Sequence, residues 1–256
     1  MKIRLLTIML GMVLLFSCHP PKPETKTLAV KHNYIILLDL SDRLIIQDNQ
    51  PSRDTEIIQN IYKMFKEKVK NEFYIKSRDE IKVVIAPQKG DNLRTELFED
   101  KLYFNMENIP HHLKRKNEPL RTEQFNAYLD TLYQKARFSE TPTDYNGADI
   151  WKYVYEDLKT DYITDTLTKN FLFILTDGYP IVGKNKQKLE PVLNRFPGLH
   201  VVLVEAAPRE KDMEWDSIMN MWSEWFKEIG VEDYTLIKRK AISKEIEEIK
   251  DIISAS

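Results

Sequence analysis

Cysteine is nearly absent from this 256-residue chain, which has a single one at position 18. A lone cysteine excludes an internal disulfide and leaves no thiol nucleophile in the rest of the chain. Glycine is scarce too, at seven residues, and neither GxGxxG nor GxxxxGK[ST] occurs. That excludes the glycine-rich phosphate loops, whose backbone amides must approach the phosphates closely. A GxSxG nucleophile elbow is also missing. Charge of one sign is lacking as well: 38 Lys and Arg face 40 Asp and Glu, for a net charge of −2. A balance of this kind gives no electrostatic case for nucleic acid as a partner.

What is present begins with a leader. Lys2 and Arg4 precede a short, mostly apolar segment from Leu5 to Phe16, which is signal-peptide grammar and too short for a comfortable membrane span. The segment closes on Leu15-Phe16-Ser17-Cys18. This resembles the lipobox of bacterial lipoproteins, which implies removal of residues 1–17 and lipidation of Cys18 as the mature N-terminus. A buried free thiol or an uncleaved anchor helix are the plainer alternatives. Acyl chains on Cys18 would hold the protein firmly at a membrane. Residues 18–31 include HPPKPETKT, a proline-rich semi-rigid tether. No aspartate follows Cys18, and by similarity to the lipoprotein sorting rule this implies the outer membrane of the cell envelope.

The folded part is expected over residues 32–256, within the range of one α/β unit. Tyr34 to Leu38 is unbroken apolar sequence, and Asp39, Ser41, Asp42 and Arg43 follow at once. A continuous apolar run suits a strand buried on both faces of a parallel sheet. Ligands of such sheets bind beyond the carboxyl ends of the strands. Asp39 and Ser41 would offer oxygens there, as hard cations such as Mg²⁺ require. Phe171 to Leu175, followed by Thr176-Asp177-Gly178, repeats the pattern.

Between and after these runs, strands and helices alternate. Strands are expected at Tyr34–Asp39, Ile81–Ala86, Phe171–Thr176, Leu199–Val204 and Tyr234–Ile237, with a short antiparallel edge strand at Leu102–Met106. Helical spacing marks Ile58 to Val69, Arg121 to Ala136, a helix opening at Gly147, a short one near Gln187–Phe196, Trp215 to Ile229, and Ile242 to Ile253. Residues 87–117 are the least regular and read as an elaborated loop or edge region. The order implies βαβ crossovers, hence a three-layer, mostly parallel, doubly wound α/β sheet flanked by helices.

At this point residues 32–256 resemble a von Willebrand factor type A domain. That family's metal-ion-dependent adhesion site uses Asp-x-Ser-x-Ser after strand one, a threonine before a later helix, and an aspartate ending strand four. The resemblance places Asp39, Ser41, Thr143 (or Thr141) and Asp177 in those roles, holding Mg²⁺ or Mn²⁺, with one coordination position open for a partner's carboxylate. Arg43 stands where the family has serine. Arginine has five donors and no acceptor, so it cannot ligate a metal. Either it points outward or pairs with a surface acid such as Asp42, leaving a weaker site, or its guanidinium lies near Asp39 and Asp177 and replaces the cation. Asp42 and Arg43 are expected on the ligand-binding rim.

The main functional expectation is a membrane-anchored, extracytoplasmic protein-binding module, not an enzyme, with a partner that presents a carboxylate. One alternative is a haloacid-dehalogenase-like phosphohydrolase using Asp39, although Ser41 stands where a second carboxylate is wanted. Another is a structural envelope lipoprotein with a non-functional site. Asp39 and Ser41 as helix-capping residues, and Asp177-Gly178 as a plain turn, are the bland readings. His111-His112-Leu113-Lys114-Arg115-Lys116 reads as a solvated loop rather than a polyanion site, and His200 as a satisfied core histidine. The tryptophans after Trp215 read as core, and Glu245, Glu247, Glu248 and Asp251 as a solvated helix face.

Overall fold

A computed structural model describes residues 29–41, 43–87, 95–137, 148–178, 194–207, 215–231 and 233–255. Its centre is β1 (Lys31–Leu38), in which every residue is buried. β2 (Glu80–Ile85), β4 (Thr168–Leu175), β5 (Leu199–Ala206) and β6 (Asp233–Lys238) join it in parallel, and β3 (Tyr103–Asn105) pairs antiparallel on β2. The sheet order is β3-β2-β1-β4-β5-β6. This is the doubly wound order, and the winding reverses between β1 and β4.

The apolar run of β1 is buried on both sides, as its unbroken hydrophobicity predicts. Tyr34, Ile36 and Leu38 face one core with α2 (Gln50–Asn71), α5 (Glu118–Arg137) and α8 (Ile242–Ala255). Ile35 and Leu37 face the other, with α7 (Trp215–Glu228) and the helical stretch α6. That stretch runs through Ile150–Lys152, a π-helical turn at Tyr153–Asp157, and Leu158–Asp161. Asp149 caps it by accepting from the Lys152 N–H at 2.9 Å. Three short helices complete the described fold: α1 (Arg43–Ile46), α3 (Glu96–Glu99) and α4 (His111–Lys114).

β1 begins three residues before the apolar run. Lys31, His32 and Asn33 are polar yet buried, because each has a partner. Lys31 meets Glu80 and Glu107, both at 3.0 Å. His32 N–H donates to Asp79 Oδ1 at 2.7 Å, and Asn33 donates to Asn170 at 2.8 Å. Satisfied polar groups can extend a buried strand. The irregular stretch 87–117 does hold the edge strand, flanked by α3 and α4. Most of the expected Gln187–Phe196 helix lies outside the described residues, and Arg195–Phe196 are not helical. Trp222 and Trp225 are core residues.

Candidate functional site

In register, Leu38 of β1 pairs with Leu175 of β4. The residues that follow, Asp39 and Thr176, therefore arrive side by side at the carboxyl edge, where the winding reverses. The Asp39 N–H donates to Leu175 O at 3.1 Å. Asp39 is buried, and its carboxylate is held by both strand ends. The Ser41 N–H donates to Oδ1 at 2.9 Å, and the Thr176 hydroxyl donates to Oδ2 at 2.7 Å. Thr176 Oγ in turn accepts the Gly178 N–H at 3.2 Å. Gly178 has φ 93°, which a side chain would strain, and its carbonyl accepts the Trp222 indole N–H at 2.8 Å. Asp177 is buried in this turn, and its carbonyl accepts the Ala207 N–H at 3.0 Å.

Arg43 is not a rim residue. Its side chain is fully buried and turned into the fold. Nε donates to Asp39 O at 2.7 Å, and Nη2 donates to Leu175 O at 3.0 Å and to Asp54 Oδ2 at 2.6 Å. Nη1 reaches Asp54 Oδ1 at 3.3 Å. The guanidinium thus ties the ends of β1 and β4 to the first turns of α2. It stands 3.8 Å from Asp39 Oδ2, so its charge serves Asp39 as well, but its forked partner is Asp54. Burial opposes the charge on Arg43, and the Asp54 and Asp39 carboxylates outweigh it, so its pKa is raised. Gln50 Nε2 and Tyr133 OH also donate to Asp54, at 2.7 and 3.0 Å. Burial pushes the Asp54 carboxyl up, and the Arg43 guanidinium with the Gln50 and Arg43 hydrogen bonds opposes that rise without cancelling it.

A second ionic cluster adjoins the first. Glu205, at the end of β5, is fully buried. It accepts from Gln50, Arg53 and Arg239, and Arg53 also donates to Glu245 Oε1 at 2.8 Å. Glu245 is therefore no part of a solvated face, whereas Glu247, Glu248 and Asp251 are exposed. Burial, with Glu205 close by, pushes the Glu245 carboxyl up to about 7. His200 is not a core residue either: it is partly exposed and pairs with Asp233 at 2.6 Å.

The structure joins Ser41 and Thr176 to Asp39 and puts Asp177 one residue past Thr176 at the same sheet edge. Thr143, Thr141, Asp42 and Cys18 lie outside the described residues. Sequence reasoning missed Asp54, Gln50, Tyr133, Thr176, Arg53, Glu205 and Arg239. The only signal for them was the Gln50–Asp54 spacing at the start of a helix and the threonine inside Thr176-Asp177-Gly178. Among the described residues, no group of three or more His, Cys, Asp or Glu side chains is arranged to hold a metal ion. Arg43 places a cation 3.8 Å from Asp39 Oδ2. No protein-family model matches this chain, and a search of curated proteins finds no match.

Proposed function

We propose that this chain is a protein-binding module of von Willebrand factor A type, lipid-anchored through Cys18 at the outer membrane, with its ligand end at Asp39, Ser41 and Asp177. One observation supports this reading: Asp39 and Asp177 closely follow the ends of neighbouring strands at the point where the sheet's winding reverses. Clefts of that kind are where open α/β sheets bind ligands. Mg²⁺ or Mn²⁺ is the ion the reading calls for, and Asp39, Ser41, Thr143 and Asp177 would hold it. The ion would supply the positive charge that a partner's carboxylate seeks.

Arg43 stands inside the site as a built-in cation and supplies no oxygen ligand. Metal dependence is tested by thermal unfolding with millimolar Mg²⁺ or Mn²⁺ against chelator. The expected result is a higher midpoint with metal, lost in Asp39→Ala. An unchanged midpoint sinks the metal part of the proposal. The binding part is tested by affinity capture from the cell envelope with Asp39→Ala and Asp177→Ala, each checked for native circular dichroism. Partners captured by the wild type should be lost. Their retention by both variants would favour a structural scaffold, for which the internal pairing of Arg43 speaks.

A further inference from the structure

The opposite end of the sheet holds features that this function leaves unused. The connection from α2 to β2 turns through Phe73 and Tyr74, both with left-handed backbone angles, φ 54° and 60°. Bulky residues seldom adopt that geometry, and such strain gathers at functional sites. Tyr74 turns inward onto the core. Phe73 and Ile75 turn outward and are 75% and 56% exposed. Val30 and Leu167 are also exposed at this end, where the Lys31 N–H donates to Leu167 O at 2.8 Å.

Positive charge surrounds this apolar tip. Lys70 and Lys76 are exposed on either side of it. The basic run after Pro110 is fastened to it, because buried Lys114 donates to Ile75 O at 3.3 Å and Ser77 O at 3.1 Å. His111, His112, Arg115 and Lys116 are left facing outward. Three of the neighbouring acids are engaged. Glu107 is bridged by Lys31 and Arg78, Asp165 lies 3.6 Å from Arg78, and Glu118 is bridged by Lys66. Glu72 is half-buried in the same turn, near Lys68.

We infer that this end docks on an anionic lipid bilayer, with Phe73 and Ile75 entering the interfacial layer and the lysines and arginines facing headgroup phosphates. Apolar side chains ringed by cations are the two components of interfacial binding. The course of the chain favours lipid over a protein partner. Residues 1–28 lead into the fold at this end, where Arg78 donates to Ala29 O at 3.3 Å. An anchor on Cys18 therefore brings this end to the membrane; the orientation rests on that reading, and the tip's own affinity does not. Among the described residues no helix is long and apolar enough to cross a bilayer.

The test uses the full chain with Cys18→Ser and Phe73→Cys, which carries one thiol for an environment-sensitive fluorophore. A companion carries Ser52→Cys, on the exposed first turn of α2 at the other end. Vesicles of phosphatidylcholine mixed with phosphatidylglycerol should blue-shift the dye at 73 and not the dye at 52. Vesicles of phosphatidylcholine alone should shift neither. Lys70→Glu with Lys76→Glu should weaken the response at least about tenfold. A dye at 73 that stays unmoved on the mixed vesicles would overturn the docking, whether or not the protein co-sediments with them. A shift that grows with protein concentration in the absence of vesicles would also overturn it, by showing a surface for a second copy. Acylation of Cys18 is read separately, by acyl labelling of the wild-type chain.

Discussion

Arg43 carries the residue-scale lesson. A guanidinium taken out of water is costly unless its charge is paired and its donors are met. Here Nε and both terminal nitrogens have acceptors, two of them backbone carbonyls at strand ends. Arg43→Met should cost about 3–5 kcal/mol in urea unfolding, because Asp54 is left buried and short of its counter-charge. Arg43→Lys should also destabilise, since an ammonium cannot fork onto Asp54 and reach both strand ends together. Arg43→Met with Asp54→Leu should recover much of the loss. A double variant no more stable than Arg43→Met would show that the contacts to Asp39 O and Leu175 O matter more than the ion pair.

At the scale of elements, the irregular end of β5 decides where charge is stored. The ladder to β6 shifts between Leu203 and Ala206, and Glu205 has φ 69°. Alternation would send Val204 and Glu205 to opposite faces, but the bulge turns both toward α2 and α8. Glu205 thereby meets Arg53, and Arg53 in turn holds Glu245 of α8. Glu245 has its carboxyl pushed up to about 7 in the fold, against the ordinary carboxylate value of 4.5. A raised acid favours the folded state most when protonated. Its stabilising contribution is complete below the unfolded value and is lost as pH rises through about 7. Between those limits the wild type should lose stability with rising pH relative to Glu245→Gln, which keeps an oxygen for Arg53 and the Lys240 N–H. Thermal midpoints of the two proteins followed from acid to mildly alkaline pH check this, and parallel curves would refute it.

At the scale of the molecule, one sheet joins the Asp39 end to the Phe73 end. β1 spans eight residues, which at the usual strand rise separates the Asp39 end from the Phe73 end by about 26 Å. A bilayer under Phe73 and Ile75 would leave the Asp39 end of the sheet facing away from the membrane. Because β1 belongs to both cores, the ends should not unfold separately. Dyes at positions 52 and 73 should report one coincident urea transition, and two transitions would divide the molecule into independent units. Much of this architecture was legible in the chain. Apolar runs, helical spacing and the polarity flips after Leu38 and Leu175 are local signals, and they set the α/β order and put Asp39 and Asp177 at strand ends. Pairing across elements is not a local signal. Arg43 turns inward because Asp54 stands 11 positions on, at the start of a helix laid over the sheet. Glu245 is buried because Arg53, 192 positions away, reaches it. The sequence by itself determined that Asp39 and Asp177 follow strand ends; only the tertiary structure decided that Arg43 turns inward beside Asp39 and onto Asp54, because buried charges are settled by whatever side chains the packed elements bring within reach.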